Sequence, residues 1–316
     1  MIVKRKVIAL LSLVIMLFSM VGCSNEGLAL IKELNRVNAW ETNALAVNVS
    51  LSGEAEGTKL GIKVDVTGWV NQKTLQGEME INIKEIEVDG EVVDTNLSPF
   101  KVLIDHEVVY ISKSLFTEAF TLEGQPIPKK LNDIQADYIG FETATTESTP
   151  RMDANKANDL LMKLIEKAKM DVTVKQDKKS FTIEMNSDQL VDATVAILNA
   201  AMDDIDALNA IVPTGMTQEE VDKEKEEIQA MLVAAKNEIK PSLSGSNLKL
   251  TYNFEDNKYT SGVDMNFEIT DAGQKAIVQM KVNGTTSNLG EKEFILPKKV
   301  VKLTMEEFYN LMGDIE

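Results

Sequence analysis

The chain has one cysteine and one histidine in 316 residues. A lone cysteine excludes an internal disulfide framework and any multi-cysteine metal site, and a lone histidine excludes paired-histidine metal motifs. Basic residues are scarce: 33 Lys and Arg stand against 50 Asp and Glu, for a net charge of −17. Nucleic-acid binding needs a cationic surface that releases counterions, so this balance argues against it. Seven prolines and 17 glycines are too few for a fibrous or collagen-like chain. Aromatic residues reach only 5%, yet hydrophobic residues make up 44%, the share of an ordinary globular chain. The GxSxG, P-loop, GxGxxG, HExxH, CxxC and EF-hand signatures are all missing from the sequence.

What is present begins at the N-terminus. Lys4, Arg5 and Lys6 form a basic head, residues 7–20 carry no charge, and the small residue Gly22 precedes Cys23. That order is the layout of a secretory signal peptide. The apolar run is shorter than the roughly 20 residues a helix needs to span a bilayer. Met20-Val21-Gly22-Cys23 resembles the lipobox of bacterial lipoprotein precursors, with Met where Leu is more usual. The resemblance implies cleavage between Gly22 and Cys23, a diacylglyceryl group on Cys23, and a chain exported and tethered to the extracytoplasmic face of the membrane. The body left after residues 1–22 is strongly acidic and is repelled by anionic headgroups. The N-terminal lipid, rather than the protein surface, is therefore expected to hold the chain at the membrane.

Beyond the anchor, Leu30, Ile31, Leu34 and Val37 recur at helical spacing and predict a helix over 26–41. Period-two segments follow: Leu45, Val47, Val49 and Leu51; Leu60, Ile62, Val64 and Val66; Leu75, Met79, Ile81 and Ile83. Each reads as a strand with one apolar and one solvated face, as in an antiparallel sheet covered on one side. Asp89-Gly90 marks a hairpin turn. Further strands are expected near 101–105, 107–112 and 138–141, a short helix over 114–120, and a helix over 155–170. Phe181, Ile183 and Met185 mark another strand after a turn at Asp177-Lys178-Lys179.

Residues 187–239 read as a long helical hairpin. Ser187 or Asp188 caps its first helix, Pro213-Thr214-Gly215 makes the turn, and Thr217 with Glu220 forms a capping box for the second helix. The C-terminal third returns to strands, with hairpin turns expected at Asp256-Asn257 and Asn283-Gly284 and an edge strand at Phe294-Ile295-Leu296. Thr304 and Glu307 form a second capping box for a terminal helix. Every proline falls between these segments, and no linker divides the chain. The expectation is one α+β domain over 23–316: a large curved antiparallel sheet covered on one face by helices, with the hairpin 187–239 inserted.

This order of elements resembles the LolA/LppX/LprG-like lipoproteins, over about residues 26–312. In that family helices cap a curved, half-open antiparallel sheet, and the space between holds acyl chains or other apolar cargo. The resemblance implies a non-enzymatic, membrane-anchored envelope lipoprotein that binds or carries an apolar ligand. Val64, Met79, Ile81, Ile197, Leu198, Met202 and Met231 are the candidate lining of such a groove. The alternative is a lipid-tethered structural or protein-interaction module with a filled core and no ligand.

No catalytic residue, metal site or cofactor is expected. His106, in Asp105-His106-Glu107 between two short apolar runs, reads as a turn residue rather than a base. Asp203, Asp204 and Asp206 read as a solvated helix face, because calcium wants six to eight oxygens from a shaped loop.

Overall fold

The computed structural model describes residues 25–55, 57–93, 97–122, 124–142, 167, 172–204, 217–271 and 274–312. The signal segment, Cys23, the predicted helix 155–170 apart from Lys167, and the turn at 213–215 lie outside the described residues. The strands are β1 (Thr42–Ala55), β2 (Thr58–Asn71), β3 (Gln76–Val88), β4 (Glu91–Val93), β5 (Phe100–Asp105), β6 (Val108–Ser112) and β7 (Tyr138–Glu142). After these come β8 (Val174–Asp177), β9 (Ser180–Asn186), β10 (Asn247–Phe254), β11 (Lys258–Asp271), β12 (Gln274–Asn288) and β13 (Val300–Leu303). The helices are α1 (Asn25–Asn38), α2 (Lys113–Leu122), α3 (Lys129–Asp133), α4 (Ser187–Met202), α5 (Gln218–Ser242) and α6 (Met305–Met312).

The strands form one 13-stranded sheet in the order β13-β7-β6-β5-β3-β2-β1-β12-β11-β10-β9-β8, with β4 paired to β3 off this path. The chain packs as two compact units. The first is built from the described residues of 1–35, 146–253 and 263–278, and the second from those of 36–145, 254–262 and 279–316.

In the second unit, β1, β2 and β3 pair antiparallel over almost their full lengths. Asp89 and Gly90 both adopt positive φ, at 53° and 86°, and close the β3–β4 hairpin as the Asp-Gly pair predicts. The register slips between Lys63 and Val64, leaving Lys84 as an extra residue on β3. A bulge shifts the side-chain alternation by one. That is why the apolar positions change phase from Ile81 and Ile83 to Ile86 and Val88.

Beyond β3 the sheet is covered on both faces, not on one as expected. Ile139 of β7, Phe120 of α2 and Leu131 of α3 form one core, into which Phe116, Phe141, Phe308 and Leu311 also pack. Phe308 stands edge-on to Phe141 at 4.9 Å and to Phe116 at 5.1 Å. On the other face Leu103, Val108 and Tyr110 are covered by Phe294, Leu296 and Val300. Burying a residue such as Ile139 or Leu131, both 0% exposed, contributes roughly 1.5–3 kcal/mol each.

Several local expectations are corrected. Phe294-Ile295-Leu296 is irregular chain rather than an edge strand. Its alternate side chains Phe294 and Leu296 seal the core, while Ile295 points outward at 76% exposure. The last strand is instead β13, and it runs parallel to β7, so the sheet is not purely antiparallel. Asn283-Gly284 makes no turn: both residues lie inside β12, and Gly284 is not among the positive-φ glycines. A methyl group at Gly284 would lie 3.2 Å from Ser261 Oγ, so this glycine accommodates a neighbouring strand. Leu75 is a turn residue at φ 55°, outside β3. Pro241 falls in the last turn of α5 rather than between segments.

In the first unit, β9 and β10 present Phe181, Ile183, Met185, Leu248 and Leu250 on their buried face. The β11 residues Val263, Met265, Phe267 and Ile269 are buried as well, at 8% exposure or less. Helix α4 packs against β9 and α5. Its cap is Asn186, one residue before the expected position: Asn186 Oδ1 accepts from Gln189 N–H and Gln189 Oε1 accepts from Asn186 N–H. At the start of α5, Thr217 and Glu220 form the capping box as read, and Thr304 and Glu307 form theirs before α6.

Candidate functional site

Directly opposed residues of an antiparallel pair share a face. The chain Val47–Val66–Ile81 and the chain Val49–Val64–Ile83 therefore run across β1, β2 and β3 on one face. Leu51 and Ile62 extend that face to Ile86, and Leu45 stands opposite Gly68, which stands opposite Met79. These side chains are half-buried along most of the strands. Toward the hairpin ends the face opens, with Leu51 37%, Leu60 57%, Val88 38% and Val93 40% exposed.

Two glycines shape the strip. A methyl group at Gly77 would lie 2.5 Å from the carbonyl oxygen of Trp69, and one at Gly68 would collide with the carbonyl oxygen of Glu78. Both positions lie on the apolar face, where the backbones of β2 and β3 approach too closely for any side chain. Glycine inside a strand marks such a bend.

The strip closes as β1 runs back toward its start. Leu45, Val47 and Val49 are half-buried, and Asn43, next in phase, is 7% exposed. Asn43 Oδ1 is buried without a hydrogen-bond partner. The neighbouring buried polar groups are satisfied: Asn71 donates from Nδ2 to Thr42 Oγ1 and accepts from the N–H groups of Lys73 and Thr74. Sequence reading passed over Asn43, yet a signal existed, since it falls in phase with Leu45, Val47, Val49 and Leu51.

The opposite face of the same strands is charged and paired. Lys63 meets Glu85 at 2.9 Å, Lys101 meets Glu78 at 2.5 Å, and Asp65 accepts from Asn48 at 2.6 Å with Lys84 at 3.5 Å. The hydrogen bond that Lys63 donates to Glu85 raises its ammonium above the ordinary pKa, and the one that Lys101 donates to Glu78 does the same there. Along the middle of these strands polar and apolar side chains separate by face, whereas Trp69, on the same face as Lys63 and Asp65, is buried and packs near Phe294.

The seven sequence-predicted groove residues divide between the units. Val64, Met79 and Ile81 share the strip of the second unit and are half-buried. In the first unit Leu198 is half-buried and Met202 is 2% exposed on α4. The side chains of Ile197 and Met231 lie outside the described residues.

A polar cleft of about 550 Å³ in the second unit is lined by Ser112, Lys113, Ser114, Thr117, Asp137 and Lys299, among others. Lys113 is already engaged there: its ammonium donates to the carbonyl oxygens of Ile134 at 2.7 Å and Asn132 at 3.3 Å. It ties α2 to the end of α3. His106 sits in the β5–β6 turn at φ 57°, as read, with Nδ1 2.8 Å from Asp105 Oδ1. Gln76, ahead of His106, holds the Asp105 carboxyl below its ordinary pKa. Asp203 pairs with Lys167 at 3.2 Å; Asp206 lies outside the described residues.

No known protein-family model matches the chain, and no curated protein matches it either.

Proposed function

We propose that this chain is an exported, lipid-anchored envelope protein, non-enzymatic, that holds an apolar ligand of the acyl-chain class against the open face of β1–β3. The observation that carries the reading is the strip formed by Val47, Val49, Val64, Val66, Ile81 and Ile83, which is apolar throughout yet only half-buried. From Asn43 to Leu51 it runs about 27 Å at the usual rise of a strand, long enough for an extended acyl chain. Such a chain gains about 0.8 kcal/mol per buried CH₂ without any charged contact. The lipobox-like Met20-Val21-Gly22-Cys23 supports the anchoring.

Native mass spectrometry of the protein purified without detergent is the test. Adducts with lipid masses, released on unfolding, are expected. A single ligand-free mass from cells rich in membrane lipid would sink the carrier reading.

A second reading, a tethered interaction module with a filled core, draws on the first unit. There Phe181, Ile183, Leu248, Leu250 and Phe267 are all at 2% exposure or less, so their face is already closed. Under this reading the strip on β1–β3 is a protein-docking surface and no lipid co-purifies.

A further inference from the structure

We infer that Asn43 is the polar recognition point of the β1–β3 strip, and that the ligand held there is an amphiphile carrying an O–H or N–H donor at one end. The inference rests on the apolar-ligand reading above and specifies the chemistry of the ligand's head.

Along β1 the face passes from an open end at Leu51, 37% exposed, through half-buried Val49, Val47 and Leu45, to Asn43 at 7%. The closed end of an apolar strip is where an amide is most costly, because a buried acceptor without a partner forfeits its hydration. A Val or Leu at this position would continue the run from Leu45 to Leu51 without burying a polar atom. The structure has instead an amide whose Oδ1 meets no donor, although Asn71 beside it donates to Thr42 and accepts from Lys73 and Thr74. Buried polar atoms left unpaired call for a specific explanation.

The floor next to it is also unusual. Asn43 stands opposite Val70, and Val70 stands opposite Gly77, while Gly68 faces Leu45 on one side and Met79 on the other. The two glycines leave no side chains of their own at this end of the strip. Charge complementarity then selects the occupant: the partial negative charge on Oδ1 is matched by a hydroxyl or amide hydrogen, while the hydrocarbon follows the valines and isoleucines toward Leu51. A bare ester or ether oxygen would face Oδ1 acceptor to acceptor. A site built to pair with a donor rejects the analogue that lacks it, since its own polar group is then left unpaired.

The test compares two probes of equal chain length, 1-dodecanol and dodecyl methyl ether, binding to the full-length mature protein. Binding is read by displacement of a fluorescent apolar dye. The alcohol is expected to bind about tenfold more tightly than the ether, the ratio one hydrogen bond supplies. In Asn43→Leu the preference should vanish while the ether binds as before or better, with the thermal midpoint unchanged or higher. Equal binding of the two probes by the wild type, or a preference for the ether, would overturn the assignment and leave the apolar site standing. Survival of the preference in Asn43→Leu would overturn it as well. Displacement by neither probe would overturn the apolar-ligand reading itself. The wild-type comparison needs no variant, so it decides the matter even if Asn43→Leu fails to fold.

Discussion

Tyr110 covers Gly140 so closely that a methyl group at position 140 would lie 2.5 Å from ring atom Cε1 and 2.6 Å from Cδ1. The two residues face each other across β6 and β7, and Tyr110 is 1% exposed. The space a side chain would take at 140 is the space the ring fills, and the ring in turn anchors the core sealed by Phe294 and Leu296.

Gly140→Ala should therefore destabilise the protein by about 1–3 kcal/mol, the usual cost of overpacking a closed interior. Denaturant titration measures it. Adding Tyr110→Leu should recover part of the loss, so the double variant is more stable than the sum of the two singles. Simple additivity would mean that the ring and the glycine do not share that space.

The open strip and the closed face of the first unit respond differently to a charge. Ile183 is 1% exposed, so Ile183→Glu buries an unpaired carboxylate and should abolish cooperative unfolding. Val64 is half-buried on the open strip, and Val64→Glu should leave a folded protein that no longer takes up an apolar dye. Circular dichroism and dye binding together distinguish the two. Loss of fold in both variants would show that the strip is as closed as the β9 face.

Asp192 joins α4 to α5 by meeting Lys236 at 2.5 Å and Lys240 at 3.0 Å. The hydrogen bond from Lys236 is the main cause that holds its carboxyl below the ordinary value of 3.8; burial opposes it and Lys240 assists. A carboxyl depressed in the folded state stabilises the fold above its unfolded pKa, and the contribution is lost as pH falls from 3.8 through the lower folded value. Asp192→Asn should lower the thermal midpoint near neutral pH and match the wild type in strong acid. The effect is modest because the pair is partly exposed, and it shrinks further in high salt. A midpoint difference that persists unchanged into acid would refute the ion-pair account.

Cys23→Ala should abolish incorporation of labelled palmitate and stop cleavage after Gly22, leaving an unprocessed precursor. Continued labelling of that variant would remove the basis for the lipid anchor.

Elements whose cause is local were legible from the residues alone. The capping boxes at Thr217/Glu220 and Thr304/Glu307 close within one helical turn, so neighbouring residues suffice to define them. The turns at Asp89-Gly90, His106 and Lys178 follow from residue type and the ends of alternating runs, and all carry positive φ at the expected places. The alternation in Leu45–Leu51 and Leu60–Val66 announced β1 and β2, because a period of two is the strand's own geometry. Val64 on β2 and Met79 and Ile81 on β3 fall on the apolar faces of their strands for the same reason, and the register of the two strands makes those faces one.

What only tertiary structure decided depends on partners distant in sequence. Asn283-Gly284 has the composition of a turn, but a turn forms only if the flanking strands pair with each other, and β12 continues straight through it. Val300–Leu303 became a strand through parallel pairing with β7, some 160 residues earlier, which no local pattern encodes. Whether a strand face is open or closed is equally nonlocal. The alternation in β2 and in β9 looks alike on paper, yet Val64 is half-buried and Ile183 is 1% exposed. Alternation tells which side of a strand avoids water; only the packing of the chain decides whether protein covers that side or leaves it for something else.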